Sequence, residues 1–379
     1  MRIADIVARV VWREMGGTLR NPRLRWTRKQ VMLVFVVAED GTVGVGETWS
    51  DGGSAEPLVA FLEHDLKPRL VGRDIDLVER FWAEAIDLAL VSVRRSLTWQ
   101  LMSAIDVALW DIKGKRAGMP VWRLLGGDGR PVLPYASGGL YRDGQDEEAF
   151  GAEYGAFVRK GFRAVKIKVG GAPVAVDAAR VEALRRHAGP DALLMVDAVS
   201  ACDVPHAVAL ARAIAPHGVT WFEQPLVLED VAGMARVQAE GGIPVCGNEN
   251  EYTLAAYRRL VEANAVHFVQ FDVAVSGGLT FGRKIAALAE AFHRPVTIHH
   301  SNSIVCMAAN IHLAAALPNC HSIEYHVIHQ PLFDHAPEGF LALHDGRIAP
   351  PEAPGLGIDL SDVLAGPPVQ QISPAGEHA

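Results

Sequence analysis

Cysteine is scarce in this chain. Its 379 residues hold four, Cys202, Cys246, Cys306 and Cys320, and no two of them form a C-x-x-C pair. That excludes a zinc ribbon and a thioredoxin-type motif, and it suits a reduced, intracellular setting. Basic residues are not in excess. Against 44 Asp and Glu stand 36 Lys and Arg, for a net charge of −8, so nucleic-acid binding has no electrostatic footprint. Long hydrophobic runs are missing too. No stretch reaches the roughly eighteen uncharged apolar residues of a membrane span. The N-terminal MRIADIVARVVWREM is broken by Asp5, Arg9, Arg13 and Glu14, unlike the apolar core of a signal peptide. A cytoplasmic protein with neither membrane nor nucleic acid as partner is the expectation. No G-x-G-x-x-G follows an early strand, which weakens a doubly wound dinucleotide-binding sheet.

What is present falls into three parts. Residues 1–130 read as a small α+β domain. Residues 2–13 alternate apolar and polar, VMLVFVVA (31–38) forms a second strand, and VGVGETW (43–49) a third. Helical patterns follow at about 55–68, 76–90 and 97–118. The segments 16–29 and 49–56 read as loops. In residues 131–345, short apolar strands alternate with helix formers, near 132–137, 163–169, 192–197, 219–223, 243–249, 266–272, 295–300 and 322–325. Eight such units predict a TIM barrel. Residues 346–379 are Pro/Gly-rich at first, with a polar tail from about 366 that is expected to fray.

The informative feature is where polar residues fall. Parallel barrel strands are buried on both faces and should be apolar throughout. Here they end in Lys166 and Lys168, Asp197, Glu223, Glu249, Asp272, His299 with His300, and Glu324. From Lys168 to Glu324 the successive intervals are 29, 26, 26, 23, 27 and 25 residues. One βα unit per interval puts them all at the C-terminal mouth, where barrel enzymes keep their chemistry. Strand alternation points both lysines and Asp197 inward. It also favours His299 over His300 as the inward histidine, with His300 the alternative if the strand ends early.

Three hard carboxylates from neighbouring strands, Asp197, Glu223 and Glu249, suit an oxygen-ligated dication, Mg²⁺ first and Mn²⁺ next. Two inward lysines two residues apart should depress each other, so that one could serve as a base near neutral pH. On the far side lies His299, with Asp272 on the preceding strand to orient it. Two acid/base groups flanking a metal suit removal of the proton α to a carboxylate, with the ion stabilising the enediolate. A bland reading of Asp272 is a turn residue before Gly277-Gly278.

These residues resemble the enolase superfamily, in particular its mandelate racemase-like subgroup. SAIDVALWDIKGKRAGMPVWRLLGG (103–127) is similar to the family's helix-and-turn signature, KIK (166–168) to its K-x-K base motif, and PGLGIDL (354–360) to its closing segment. The resemblance implies a (β/α)7β-type modified TIM barrel, capped by an α+β domain built from the N-terminal region and the C-terminal segment. It places Lys168 in the catalytic position, Asp197, Glu223 and Glu249 as metal ligands, and Asp272 with His299 as a dyad. Lys166 and Glu324 would help hold the substrate carboxylate. Trp49 and Arg20, with Arg23 and Arg25, lie on loops that such enzymes close over substrate. The family's members often assemble as symmetric homo-oligomers.

Two departures stand out. Val199 occupies the last position of a D-x-N motif, and Asn248 stands where Gly commonly precedes the fifth-strand Glu. Glu251 lies close enough to compete with Glu249. HHSNS (299–303) is similar to a run in glucarate dehydratase-like members, which would favour His300. The expected activity is dehydration of a sugar acid. A racemase or epimerase and a sugar-lactone cycloisomerase are alternatives on the same enediolate. A Schiff-base aldolase using Lys168, or a metal-binding barrel without turnover, are alternatives of another class.

Overall fold

Strand β1 (Ile3–Glu14) buries only Ile3, Ile6, Val10, Val11 and Arg13, whereas β3 (Arg28–Ala38) is buried almost from end to end. The reason lies in what covers β3. Val31, Leu33 and Phe35 join the core shared with the barrel, while Met32, Val34 and Val36 join a second core beneath helices. A strand covered on both faces needs an unbroken apolar run. In the computed structural model, which describes residues 1–50, 53–328 and 332–372, these strands pair antiparallel with each other and with β4 (Val43–Trp49). The two-residue β2 (Leu19–Arg20) lies between β1 and β3 in sequence.

The helices of this region are α1 (Glu56–Phe61) and α2 (Lys67–Leu70), joined by a π-helical turn at Leu62–Leu66, then α3 (Val78–Ser92), α4 (Arg95–Ala117) and α5 (Val121–Leu124). Helix α4 crosses β4 at very short range. A Cβ added at Gly46 would meet the Ala104 carbonyl oxygen at 1.8 Å, and one at Gly44 the Ala108 oxygen at 2.0 Å. The alternating glycines of VGVG are thus the groove in which α4 lies. Two carboxylates of α4 serve structure. Asp106 accepts from Trp82 Nε1 and from the Thr280 amide. Asp111 accepts from Lys115 Nζ and from the amides of Val45 and Leu356.

The barrel closes from β5 (Pro134–Ser137), β7 (Ala164–Lys168), β8 (Leu193–Asp197), β9 (Val219–Glu223), β10 (Val245–Gly247), β11 (Phe268–Phe271), β12 (Val296–Ile298) and β13 (Cys320–His326), all parallel. The short β6 (Tyr141–Arg142) stands outside it. Helices α6 (Glu147–Arg159), α7 (Val174–Ala188), α8 (Val204–Ile214), α9 (Val231–Glu240), α10 (Leu254–Glu262), α11 (Gly278–Ala291) and α12 (Ile304–Ala316) each follow one of the first seven barrel strands. Among the described residues the eighth, β13, is followed not by a barrel helix but by a 3-10 turn at Phe333–His335 and a hairpin of β14 (Leu343–His344) and β15 (Arg347–Ile348). This is the expected (β/α)7β barrel. No described helix is long and apolar enough to cross a membrane.

Three details differ from expectation. The strands expected over 243–249, 266–272 and 295–300 stop short of their polar residues, because the backbone turns away there; the amides of Val275 and Ser276, for example, bond the Asp272 carbonyl. The presumed loop 16–29 contains β2, which pairs antiparallel with β6 and so ties the N-terminal region to the first barrel loop. Part of the tail expected to fray is ordered: after α13 (Ser361–Ala365), β16 (Val369–Gln371) pairs parallel with β1. Residues 373–379 lie outside the described residues.

Two predictions follow from α4. Gly46→Ala forces backbone apart and should lower unfolding free energy by about 2 kcal/mol or more in denaturant titrations; an unchanged midpoint would contradict the close crossing. Burial lifts Asp106 to about 6 against the hydrogen bonds from Thr280 and Trp82. Its raised pKa means the folded state takes up a proton more readily than the unfolded one. That contribution is present at low pH and lost as pH rises through about 6. Wild type should therefore gain stability relative to Asp106→Asn as pH is lowered from about 7 to about 4, and a parallel pair of stability curves would refute this.

Candidate active site

The mouth of the barrel gathers the charged residues of seven consecutive strand ends, β7 to β13. Lys166, on β7 and fully buried, places Nζ 2.6 Å from Glu223 Oε1, 3.0 Å from Glu324 Oε1 and 3.7 Å from Asp197 Oδ2. Lys168, also on β7, bonds Asp197 Oδ2. Asp197 ends β8, and its Oδ1 accepts the Val199 amide at 2.8 Å. Glu223 ends β9 and is held by Trp221 Nε1 at 3.2 Å. Glu249 lies two residues past β10.

On the other side, Asp272 and His299 stand one residue past β11 and β12. His299 Nδ1 donates to Asp272 Oδ2 at 2.7 Å, which leaves Nε2 facing Glu249 Oε2 at 3.1 Å and Glu324 Oε2 at 3.5 Å. Glu324, on β13, also accepts from Tyr135 Oη at 3.3 Å. His300 turns away from this cluster: its Nε2 donates to the Ser303 carbonyl, and only its backbone amide reaches Glu324. Burial pulls its imidazole down to about 4, so it stays neutral. Of the two histidines, His299 is the one that the fold brings to the carboxylates. Glu251 accepts the amide of its neighbour Tyr252 and stands apart from the cluster.

The electrostatics differ from the expected mutual depression of the lysines. Burial pulls both ammonium groups down. Glu223 and Glu324 around Lys166, and Asp197 beside Lys168, outweigh burial and raise both. Burial opposes the His299 imidazolium too, but Glu249, Glu324 and Asp272 lift it to about 9. Burial lifts Glu223 to about 8 against the pull of Lys166. Glu324, despite burial, is held low by Lys166 and His299.

Asp197, Glu223 and Glu249 each offer a carboxylate oxygen within 4.8 Å of the others, and all three are buried. Glu249 Oε2 has no hydrogen bond, although it is cut off from solvent. Hard oxygen donors, converging and under-satisfied, fit a small dication.

The surrounding loops bring Arg180, which the sequence did not single out, and place the loop residues Arg20, Arg23, Arg25, Trp49 and Val199, which it did. Arg180 of α7 is buried between the rings of Tyr141 and Phe150, and it donates to the carbonyls of Lys168 and Gly139 at 3.1 and 3.0 Å. Arg23 donates to the carbonyls of Val199 and Ser200. Those two residues have φ of +49° and +57°, a region that Asn tolerates better than β-branched Val. Val199 therefore sits on strained backbone next to Asp197. The Trp49 ring lies tilted against His299, with ring centroids 5.4 Å apart. Arg20 lies over the Tyr141 ring at 4.7 Å, and Arg25 reaches Asp143. A helix-face pattern finds none of these contacts, because each joins segments far apart in sequence.

Comparison with known proteins agrees with this geometry. Residues 21–126 match the family described as mandelate racemase / muconate lactonizing enzyme, N-terminal domain, and residues 149–363 match enolase C-terminal domain-like. An arabinonate dehydratase of Saccharolobus solfataricus is 32% identical over 88% of this chain and 89% of its own. A 3,6-anhydro-alpha-L-galactonate cycloisomerase of Streptomyces coelicolor is 33% identical over 87% of this chain and 89% of its own. Among solved structures, a racemase from Streptomyces coelicolor A3(2) with bound magnesium aligns with a TM-score of 0.87 at 31% identity, over 95% of this chain and 98% of that one. With its closed barrel, capping sheet and both domain matches, the chain belongs to the mandelate racemase/muconate lactonizing enzyme family of the enolase superfamily.

Proposed function

We propose that this protein is a Mg²⁺-dependent acid-sugar dehydratase. The observation that carries the reading is the pair of acid/base groups, Lys168 on β7 and His299 after β12, with the strands that lead to Asp197, Glu223 and Glu249 lying between them in the barrel. Those three carboxylates would hold the ion, with Mn²⁺ a possible substitute. The ion supplies positive charge for the substrate carboxylate and for the enediolate that forms from it.

The residues divide the work as follows. Lys166, bonded to Glu223 and Glu324, keeps its proton and offers N–H to the substrate carboxylate, with Glu324 fixing its position. Lys168, once deprotonated, removes the proton on the carbon α to that carboxylate. The electron pair of the broken C–H bond forms the enediolate. His299 enters as the imidazolium, a state that its carboxylate neighbours favour. It gives its Nε2 proton to the hydroxyl on the β carbon, which leaves as water. Asp272 holds Nδ1–H and so aims Nε2 at the substrate. The enol product tautomerises to a 2-keto-3-deoxy acid. Trp49, against His299, closes the substrate side, and Arg20 belongs to the loop over it. A small carboxylate is the substrate class, and the dehydratase relative acts on an acid sugar by its name.

A cycloisomerase is the second reading, favoured by the cycloisomerase relative at 33% identity. It shares the enediolate, with a ring oxygen or lactone in place of the departing hydroxyl.

The test is a panel of mono- and diacid sugars and their lactones with Mg²⁺ in D₂O, read by ¹H NMR and a keto-acid assay. Keto acid from at least one acid is expected. Deuterium entering the α position without keto acid would replace dehydration by racemisation or epimerisation, and lactone consumption alone would establish the cycloisomerase. On the responding substrate, Lys168→Met should lower kcat by about 10³-fold or more. His299→Asn should lose keto acid but keep α-proton exchange. If both functions survive either change, the assignment of roles is wrong.

Metal binding is checked separately. Mg²⁺ at about 100 times its Kd should stabilise wild type by about 2.7 kcal/mol. Glu223→Gln should lose most of that gain in thermal unfolding, and equal gains in both proteins would remove Glu223 from the site.

A further inference from the structure

The Asp272–His299 pair is built on the barrel, yet three consecutive residues of the capping strand β4 reach it from different sides. Glu47, buried at 2% exposure, accepts the Ser303 amide at 2.8 Å, the Ser303 hydroxyl at 2.6 Å and the Cys306 amide at 3.1 Å. These donors open α12, the helix that follows His299 and His300. The same helix holds the pair from below. Cys306 Sγ lies 3.8 Å from Asp272 Oδ1, and Asn310 Nδ2 donates to the His299 carbonyl at 3.0 Å. Thr48 Oγ1 donates to the Ala274 carbonyl at 2.9 Å, and the Ala274 amide in turn donates to Asp272 Oδ1 at 2.7 Å. Trp49 covers the His299 ring.

A carboxylate at a helix N-terminus bonds amides that the helix leaves open and favours the positive end of its dipole. Stability alone does not require it here. Ser303 already caps α12 through Oγ and the Val305 amide, and burying Glu47 is costly enough to lift its carboxyl to about 7. A buried acid that adds little to a capped helix but bridges two domains is better explained by geometry that it enforces. Lys29, also buried on the capping sheet, bonds Ser301 Oγ at 3.3 Å and extends the same grip along the loop from His299 to α12.

We propose that Glu47-Thr48-Trp49 is a positioning element, through which the capping domain sets the orientation of the Asp272–His299 pair. None of the three needs to touch the reacting atoms in this role. The proposal rests on the reading of His299 as the acid of the dehydration. Its consequence is selective: weakening the element should impair the step that uses His299 and spare proton removal by Lys168, which is held from the other wall by Arg180.

The experiment uses the full chain with Mg²⁺ and the variants Glu47→Gln and Thr48→Val, the second nearly isosteric in case the first folds poorly. Dehydration kcat should fall by about tenfold or more. KM and α-proton exchange into D₂O should stay within about threefold, and Thr48→Ser should restore kcat. A second readout needs no turnover. The Nδ1–H proton of His299, bonded to Asp272, gives a low-field ¹H NMR signal that is assigned by its loss in His299→Asn. That signal should shift or broaden in both variants. If it stays unchanged in both, or if kcat and exchange fall together in step with melting temperature, the element is merely structural and the proposal is overturned. If wild type turns over no acid sugar, the dehydratase reading fails, and the ring-proton signal still decides whether β4 positions the pair.

Discussion

Four carboxylates, Asp197, Glu223, Glu249 and Glu324, are buried together at one end of a barrel, and like charges at such range repel by several kcal/mol even at an effective dielectric of about 20. The rest of the site is the answer to that repulsion. Lys166 reaches three of them at once, Lys168 pairs with Asp197, and His299 faces Glu249 and Glu324. Even so, Glu249 Oε2 is left without a hydrogen bond. Charges of both signs are packed tightly enough that each fixes the protonation of its neighbours, and that makes the cluster responsive to a cation or an anionic substrate.

Such a cluster works only where water is scarce, and the barrel alone leaves its mouth open. The capping domain supplies the other wall. Helix α4 attaches it to the barrel: Asp106 accepts the Thr280 amide at the start of α11, and Trp110 Nε1 donates to the Thr280 hydroxyl. Nearer the site, β2 pairs with β6, Arg23 grips the loop after Asp197, and β4 grips the loops after Asp272 and His299. Three of the strand-end loops that carry candidate site residues, those after Asp197, Asp272 and His299, are therefore tied to the capping domain by polar contacts at identifiable atoms.

Val199 shows how the two levels interact. Its positive φ places its amide on Asp197 and its carbonyl on Arg23. The sequence marks this position as unusual because Val stands where Asn is common in the family. Only the backbone conformation shows what the exchange involves, since Asn suits that conformation and a β-branched side chain does not.

The barrel class, the residues at the strand ends and the inward set Lys166, Lys168 and Asp197 were legible in the sequence. Each follows from a local rule: strands repeat with the βα unit, and side chains alternate along them. The exact strand ends were not legible, because β10, β11 and β12 stop where their backbones turn to bond nearby side chains and carbonyls. The burial of His300 among the 300s loop, the raised state of both lysines, and the roles of Arg180, Glu47 and Thr48 were decided by tertiary structure. Glu47 meets Ser303 across 256 residues of sequence, and nothing periodic links the two. What the sequence determined by itself is which side chains each strand delivers to the mouth. Which of them meet, and how strongly each is charged there, depended on how the capping domain and barrel pack. Burial and Coulomb interactions are properties of neighbours in space rather than along the chain.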